Sequence, residues 1–210
     1  MTSNARVVRF LALPFLLLAA NAAHAQSIDC TELAAIVESA DADFAPIRGP
    51  LQRSIVPGGA PLPSAPAQAT PHTVDRTEAA REFEQRVRST KFEVRQYATN
   101  QPLAGAGSCE IRLMHKDDAR ATLREATYRC NWPASPGIAA LKRSVASCLT
   151  DVVMREESAG SLRLYLHHDA SGDGERSVHV SVDAVEGQAA RLSVTRTVCS
   201  SRTAGACAQR

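Results

Sequence analysis

Two stretches of this chain alternate in phase, and each carries a cysteine at the matching end. Cys109, Ile111 and Leu113 alternate with Glu110, Arg112 and Met114; Ala126, Tyr128 and Cys130 alternate with Glu125, Thr127 and Arg129. Successive side chains of a strand point to opposite faces, so each stretch has one apolar and one polar side. A polar turn around residues 116–121 lets the two fold back as a hairpin with Cys109 opposite Cys130. Ile111 then faces Tyr128, Leu113 faces Ala126 and Glu110 faces Arg129. A slip by one residue would set one strand's apolar side against the other's polar side. The chain is thus directed towards an antiparallel sheet with one apolar face, and towards a Cys109–Cys130 disulfide.

That face needs a cover, and two helical stretches supply it. Asp29 and Glu32 stand three apart as in a capping box, and Leu33, Ile36, Val37, Ala40 and Phe44 follow at helical spacing. Ser135 as cap and Pro136 in the first turn open a second helix, with Ile138, Leu141, Val145, Cys148, Leu149 and Val152 on one face. Cys30 and Cys148 both lie on apolar stripes, so a bridge between the helices is the natural pairing. Further strands are expected over 91–99, 162–168, 177–184 and 190–199, with turns at Gly172, Gly174 and Gly187. Cys199 and Cys207 remain to close a C-terminal loop. Residues 46–73 are rich in proline and read as a long loop; residues 75–88, with Glu–Arg spacings and a narrow apolar line, read as a short helix. The expected fold is α+β, a two-layer sandwich of about six antiparallel strands with two helices on one face, in α-β-β-β-α-β-β-β order.

The N-terminus has the three parts of a secretory signal: Arg6 and Arg9, an apolar run over 10–20, and Ala23-His24-Ala25 before the expected cut. The run is too short for a membrane span, which needs about 20 residues, so no transmembrane segment is expected in the mature chain, a single domain over 26–210. Six cysteines behind such a signal, none in C-x-x-C spacing, read as disulfides of a periplasmic or secreted protein rather than as metal or redox sites. The whole chain carries 24 basic and 22 acidic residues. Both signal arginines leave with the signal and no acid does, so the mature balance is zero and gives no field for nucleic acid or an anionic membrane. The basic residues are nearly all arginine, the exceptions being Lys91, Lys116 and Lys142.

Phe44-x-x-Ile47-Arg48-Gly49, Leu103-x-Gly105-Ala106-x-x-Cys109, Tyr128-x-Cys130-x-Trp132 and Cys148-Leu149 together resemble a group of exported bacterial proteins to which no activity is attached. The resemblance spans the middle of the mature chain. It implies export and disulfides, and no reaction.

Three features bear on chemistry. Asp169, Ser171 and Asp173, followed by Gly174, have the spacing that begins a calcium loop, but the position that should supply a bidentate glutamate is Val180. An ordinary glycine-rich turn accounts for them. His167 and His179 are expected on the outer face, opposite each other, where paired imidazoles bind zinc or copper; His168 is assigned to the inward set. No serine sits in G-x-S-x-G and no cysteine is spare, so neither an enzyme nor a cofactor is expected. The face opposite the helices would display Arg112, Arg129, Arg163, Tyr165, His167, His179, Arg191 and Thr195. The leading expectation is therefore a non-catalytic binding or envelope-associated domain whose partner is a protein or envelope component. The alternative is a periplasmic metal-binding protein using His167 and His179 or the Asp169–Asp173 loop.

Overall fold

A computed structural model describes residues 28–55, 90–132, 137–170, 174–186, 188–203 and 206–207. The expected signal peptide, most of the proline-rich segment, the 75–88 helix, Ser135, Pro136, Ser171 and Asp173 lie outside them.

Helix α1 (Cys30–Ser39) is capped by Asp29, whose carboxylate accepts from the Thr31 amide at 2.7 Å. The reciprocal bonds of a capping box are not made: Asp29 takes the Thr31 amide rather than that of Glu32, and a carboxylate oxygen of Glu32 is buried without a partner. Leu33 and Ile36 are buried. The chain leaves α1 through two consecutive left-handed residues, Asp43 and Phe44 at φ 52° and 61°, with Phe44 N–H donating to the Ser39 carbonyl at 2.8 Å. A bulky residue there costs about 1–3 kcal/mol. Burial offsets it: Phe44 is fully enclosed, its ring 6.1 Å from that of Tyr128.

Eight antiparallel strands follow: β1 (Arg48–Ile55), β2 (Lys91–Thr99), β3 (Ser108–Asp117) and β4 (Ala121–Trp132), then, after helix α2 (Ile138–Cys148), β5 (Met154–Glu157), β6 (Ser161–Asp169), β7 (Gly174–Val185) and β8 (Gln188–Ser201). Their order in one open sheet is β1-β2-β3-β4-β8-β7-β6-β5. Each half is thus a helix and a four-stranded meander, and the halves join along β4 and β8, paired from Ala121↔Ser201 to Trp132↔Ala190. The expected repeat of a helix and three strands is a helix and four.

The two additional strands are the edges. β1 falls where a loop is expected because it contains Pro50, but its register shifts between Arg48 and Leu51, and proline is tolerated at an edge or a bulge. β5 is short, charged and exposed throughout, so it has no alternation to detect.

The hairpin of β3 and β4 has the register its alternation dictates: Cys109↔Cys130, Glu110↔Arg129, Ile111↔Tyr128 and Leu113↔Ala126. The three disulfides are Cys109–Cys130, Cys30–Cys148 and Cys199–Cys207. Leu33 and Ile36 of α1 and Leu141 and Val145 of α2 share one buried cluster with Ile111, Tyr128, Leu164, Val180, Leu192 and Val194 of the sheet. Strand β2 contributes Tyr97 to that cluster, opposite Ile111; its Val94, paired with Met114, is buried on the other face. Helix α2 starts later than expected, with Gly137 in place of Ser135 as cap. No described helix is long and apolar enough to cross a membrane.

Candidate functional site

Strand alternation that turns Ile111, Tyr128, Val194, Val180 and Leu164 towards the helices must turn their neighbours the other way. The pairings align those neighbours in one row: Gln96↔Arg112, Arg112↔Thr127, Thr127↔Thr195, Thr195↔His179 and His179↔Tyr165. The next row holds Arg129, Ser193, Ser181 and Arg163, and the one beyond holds Asn131, Arg191 and Asp183. Arg112, Arg129, Arg163, Tyr165, His179, Arg191 and Thr195 therefore share a face, as the alternation requires.

The row is also symmetric about its centre. Thr127 and Thr195 straddle the seam between the two meanders, their hydroxyl oxygens 3.4 Å apart. Arg112 on β3 and His179 on β7 flank them as structural counterparts, one strand out on each side. The centre is enclosed, with Thr127 at 5% and Thr195 at 8% exposure and Ser177, Ser181 and Ser193 also buried. Arg112, Arg129 and His179 are half-buried, and Arg112 Nε, Arg129 Nε and His179 Nδ1 are sealed without a hydrogen-bond partner.

The surrounding polar groups are already engaged. Glu110 takes Gln96 Nε2 on one oxygen, and its other stands 3.6 Å from Arg129 Nη1. Arg191 Nε donates to Asn131 Oδ1 at 2.9 Å, Ser181 donates to Asp183 at 3.0 Å, and Thr127 reaches Glu125 at 3.4 Å. Burial, followed by the Arg191 charge, lowers the Arg129 pKa from its ordinary value; Glu110 opposes this and Arg112 adds to it. Burial, then the charge of Arg163, pushes His179 down to about 4 against the opposing charge of Asp183. At neutral pH His179 is an uncharged imidazole, its ring 5.4 Å from that of Tyr165.

The expected histidine pair does not form. A β-bulge between Tyr165 and His167 inserts a residue into β6, so His167 stands opposite Val178 on the helix side and Tyr165 opposite His179. The same shift turns His168 outward, opposite Ser177, with its ring 6.1 Å from Tyr165. Both assignments assumed unbroken alternation, which a bulge reverses. Asp169 is exposed at the end of β6. Among the described residues no group of three or more His, Cys, Asp or Glu side chains could hold a metal ion.

A feature the linear pattern does not reveal is a cavity of about 270 Å³ bordered by Asp43, Glu93, Arg95, His115 and Arg124. Its residues come from the turn after α1 and from β2, β3 and β4, so no local motif announces it. Three of its charges are already paired, Arg95 with Glu93 and Asp43 with Arg196, each pair at 2.6 Å. The motifs that carry the resemblance lie elsewhere: Phe44, Ile47, Leu103, Tyr128, Cys130 and Trp132 are all core. Gly105 has φ 76°, and a Cβ on Gly49 would meet Ala98 O at 3.1 Å. Those positions build the fold. No known protein family, curated protein or solved structure matches this chain.

Proposed function

We propose that this is an exported, non-catalytic binding domain that engages a macromolecule of the cell envelope or its surroundings through the sheet face opposite the helices. The observation that carries the reading is the pair of sealed nitrogens on that face whose side chains have no other polar partner, at Arg112 and His179. Burying a polar group without a partner is costly, and nearly all such groups in folded proteins are satisfied. Of the other sealed atoms, those at Arg48 and Arg196 belong to arginines whose terminal nitrogens bond Asp43. Arg112 and His179 form no hydrogen bond or ion pair among the described residues. A partner laid across the face cannot touch the sealed atoms themselves, but it can engage the solvent-facing remainder of these half-buried side chains and supply the acceptors the face lacks. From Arg112 to Tyr165 the row crosses four strand spacings, about 19 Å, a span that suits a macromolecule better than a small ligand.

Export is supported by the signal-like N-terminus and by three disulfides, which persist in oxidising compartments. The test is photo-crosslinking in cells that export the full chain, with the reactive residue placed at Tyr165 or, as a control, at the exposed Arg143 of α2. A discrete adduct from the Tyr165 position alone, competed away by excess unlabelled protein, is expected. Equal adducts from both positions, or none from either, would remove the reading.

A further inference from the structure

We infer that the partner places a single carboxylate, from an aspartate or glutamate of a protein segment, over Arg112 and the Thr127–Thr195 pair. The inference rests on the outer face being the contact surface and goes further by naming what is bound.

Arg112 is the residue that distinguishes the centre of this face. It is half-buried, yet its side chain takes no carboxylate among the described residues. The two acids nearest it by register are committed: Glu110 to Gln96 and Arg129, and Glu125 to Thr127. Arg129, which already holds the carboxylate of Glu110, lies diagonally across the ladder, near enough for its charge and that of Arg112 to oppose each other. An arginine kept in this state is a net cost to folding unless an anion supplies the missing acceptor. A guanidinium fork matches the two oxygens of a carboxylate, while Thr127 and Thr195, whose hydroxyls are engaged with Glu125 and with each other, form the floor beneath it.

A polyanion fits less well. Glu110, Glu125, Glu156 and Asp183 are interleaved with the arginines on this face, so an extended chain of negative charge would meet as much repulsion as attraction. The uncompensated charge is local, and a discrete anionic group matches it.

The test is an NMR titration of the full-length oxidised protein, following the arginine Nε–Hε signals and the Thr127 and Thr195 amides. The probes are N-acetyl-glutamate amide, its glutamine counterpart, inorganic phosphate and a heparin fragment. The glutamate probe is expected to shift Arg112 and both threonines first and to saturate in the millimolar range, with the glutamine probe inert. Arg112→Gln is expected to weaken the effect by about tenfold or more while leaving the melting temperature unchanged or higher. Thr195→Val tests the same seat without altering charge, and a smaller loss is expected. Equal response to glutamine, equal shifts at all exposed arginines, tighter binding of phosphate or heparin, or a lower melting temperature for Arg112→Gln would each overturn the carboxylate seat. If Tyr165 still crosslinks specifically while the glutamate probe is silent, the contact face stands and the carboxylate does not.

Discussion

His179 couples the sheet face to pH. Its ordinary pKa of 6.5 falls to about 4 in the folded protein, through burial first and the charge of Arg163 second. Between those values the unfolded chain binds more protons than the folded one, so stability is fully present above pH 6.5 and declines as pH falls towards 4. The loss from this group is at most about 3 kcal/mol. His179→Thr, which repeats the hydroxyl of the adjoining Thr195, should flatten the decline. Urea unfolding of both proteins at several pH values checks this, and parallel pH profiles would show that His179 is not the group responsible. The left-handed Phe44 and the bond from Tyr128 Oη to the Gln101 carbonyl at 2.9 Å are set by the core instead. Tyr128→Phe should cost about 1 kcal/mol at every pH below the tyrosine range, since one part-buried hydrogen bond is lost and no group that titrates in that range changes. A cost that varied across pH 5–8 would contradict that account.

Among the elements, the disulfides differ in what they constrain. Cys30–Cys148 ties the start of α1 to the end of α2 across 118 residues, Cys109–Cys130 spans 21 and Cys199–Cys207 spans 8. If each acts by restricting the unfolded chain, replacing both cysteines of a pair by serine should cost about 5, 3 and 2.5 kcal/mol in that order. Denaturant midpoints of the three double variants give the ranking, and a reversed order would mean that native contacts around the bridges dominate. The Cys109–Cys130 hairpin was legible because alternation, register and cysteine position are local and mutually consistent. Helix–helix pairing of Cys30 with Cys148 was legible because both lie on apolar stripes. The edge strands were not: β5 has no buried side to pattern it, and Pro50 in β1 sits where a register shift removes its need for a ladder bond. Nor was the bulge in β6, since Leu166 looks like one more member of an apolar series. That single residue turned His167 inward and His168 outward, so the arginine face was readable and the proposed histidine pair was not.

For the whole molecule, the palindromic strand order makes the β4–β8 seam the interior of the structure and puts both starts, β1 and β5, at the rims. The seam strands carry Tyr128, Cys130, Trp132, Leu192 and Val194, all fully or nearly fully buried, under both helices. At the rims, β1 is exposed beyond Gly49, and β5 presents Arg155, Glu156 and Glu157, charges that deter pairing with another chain. Stability should therefore be graded outwards from the seam. Amides of β4 and β8 should exchange hydrogen only through global unfolding, whereas those of β5 should exchange through local opening that leaves the core intact. Raising urea towards the midpoint should accelerate exchange in the seam steeply and in β5 hardly at all, because local opening exposes little surface. The arginine face straddles that seam, so Arg112 and His179 are carried by separate meanders fixed to one another by the slowest-exchanging ladder. This gives the face a rigid backing. If β4 and β8 exchanged as fast as β5, the halves would be opening against each other, and the Thr127–Thr195 pair could not serve as a fixed floor for any ligand.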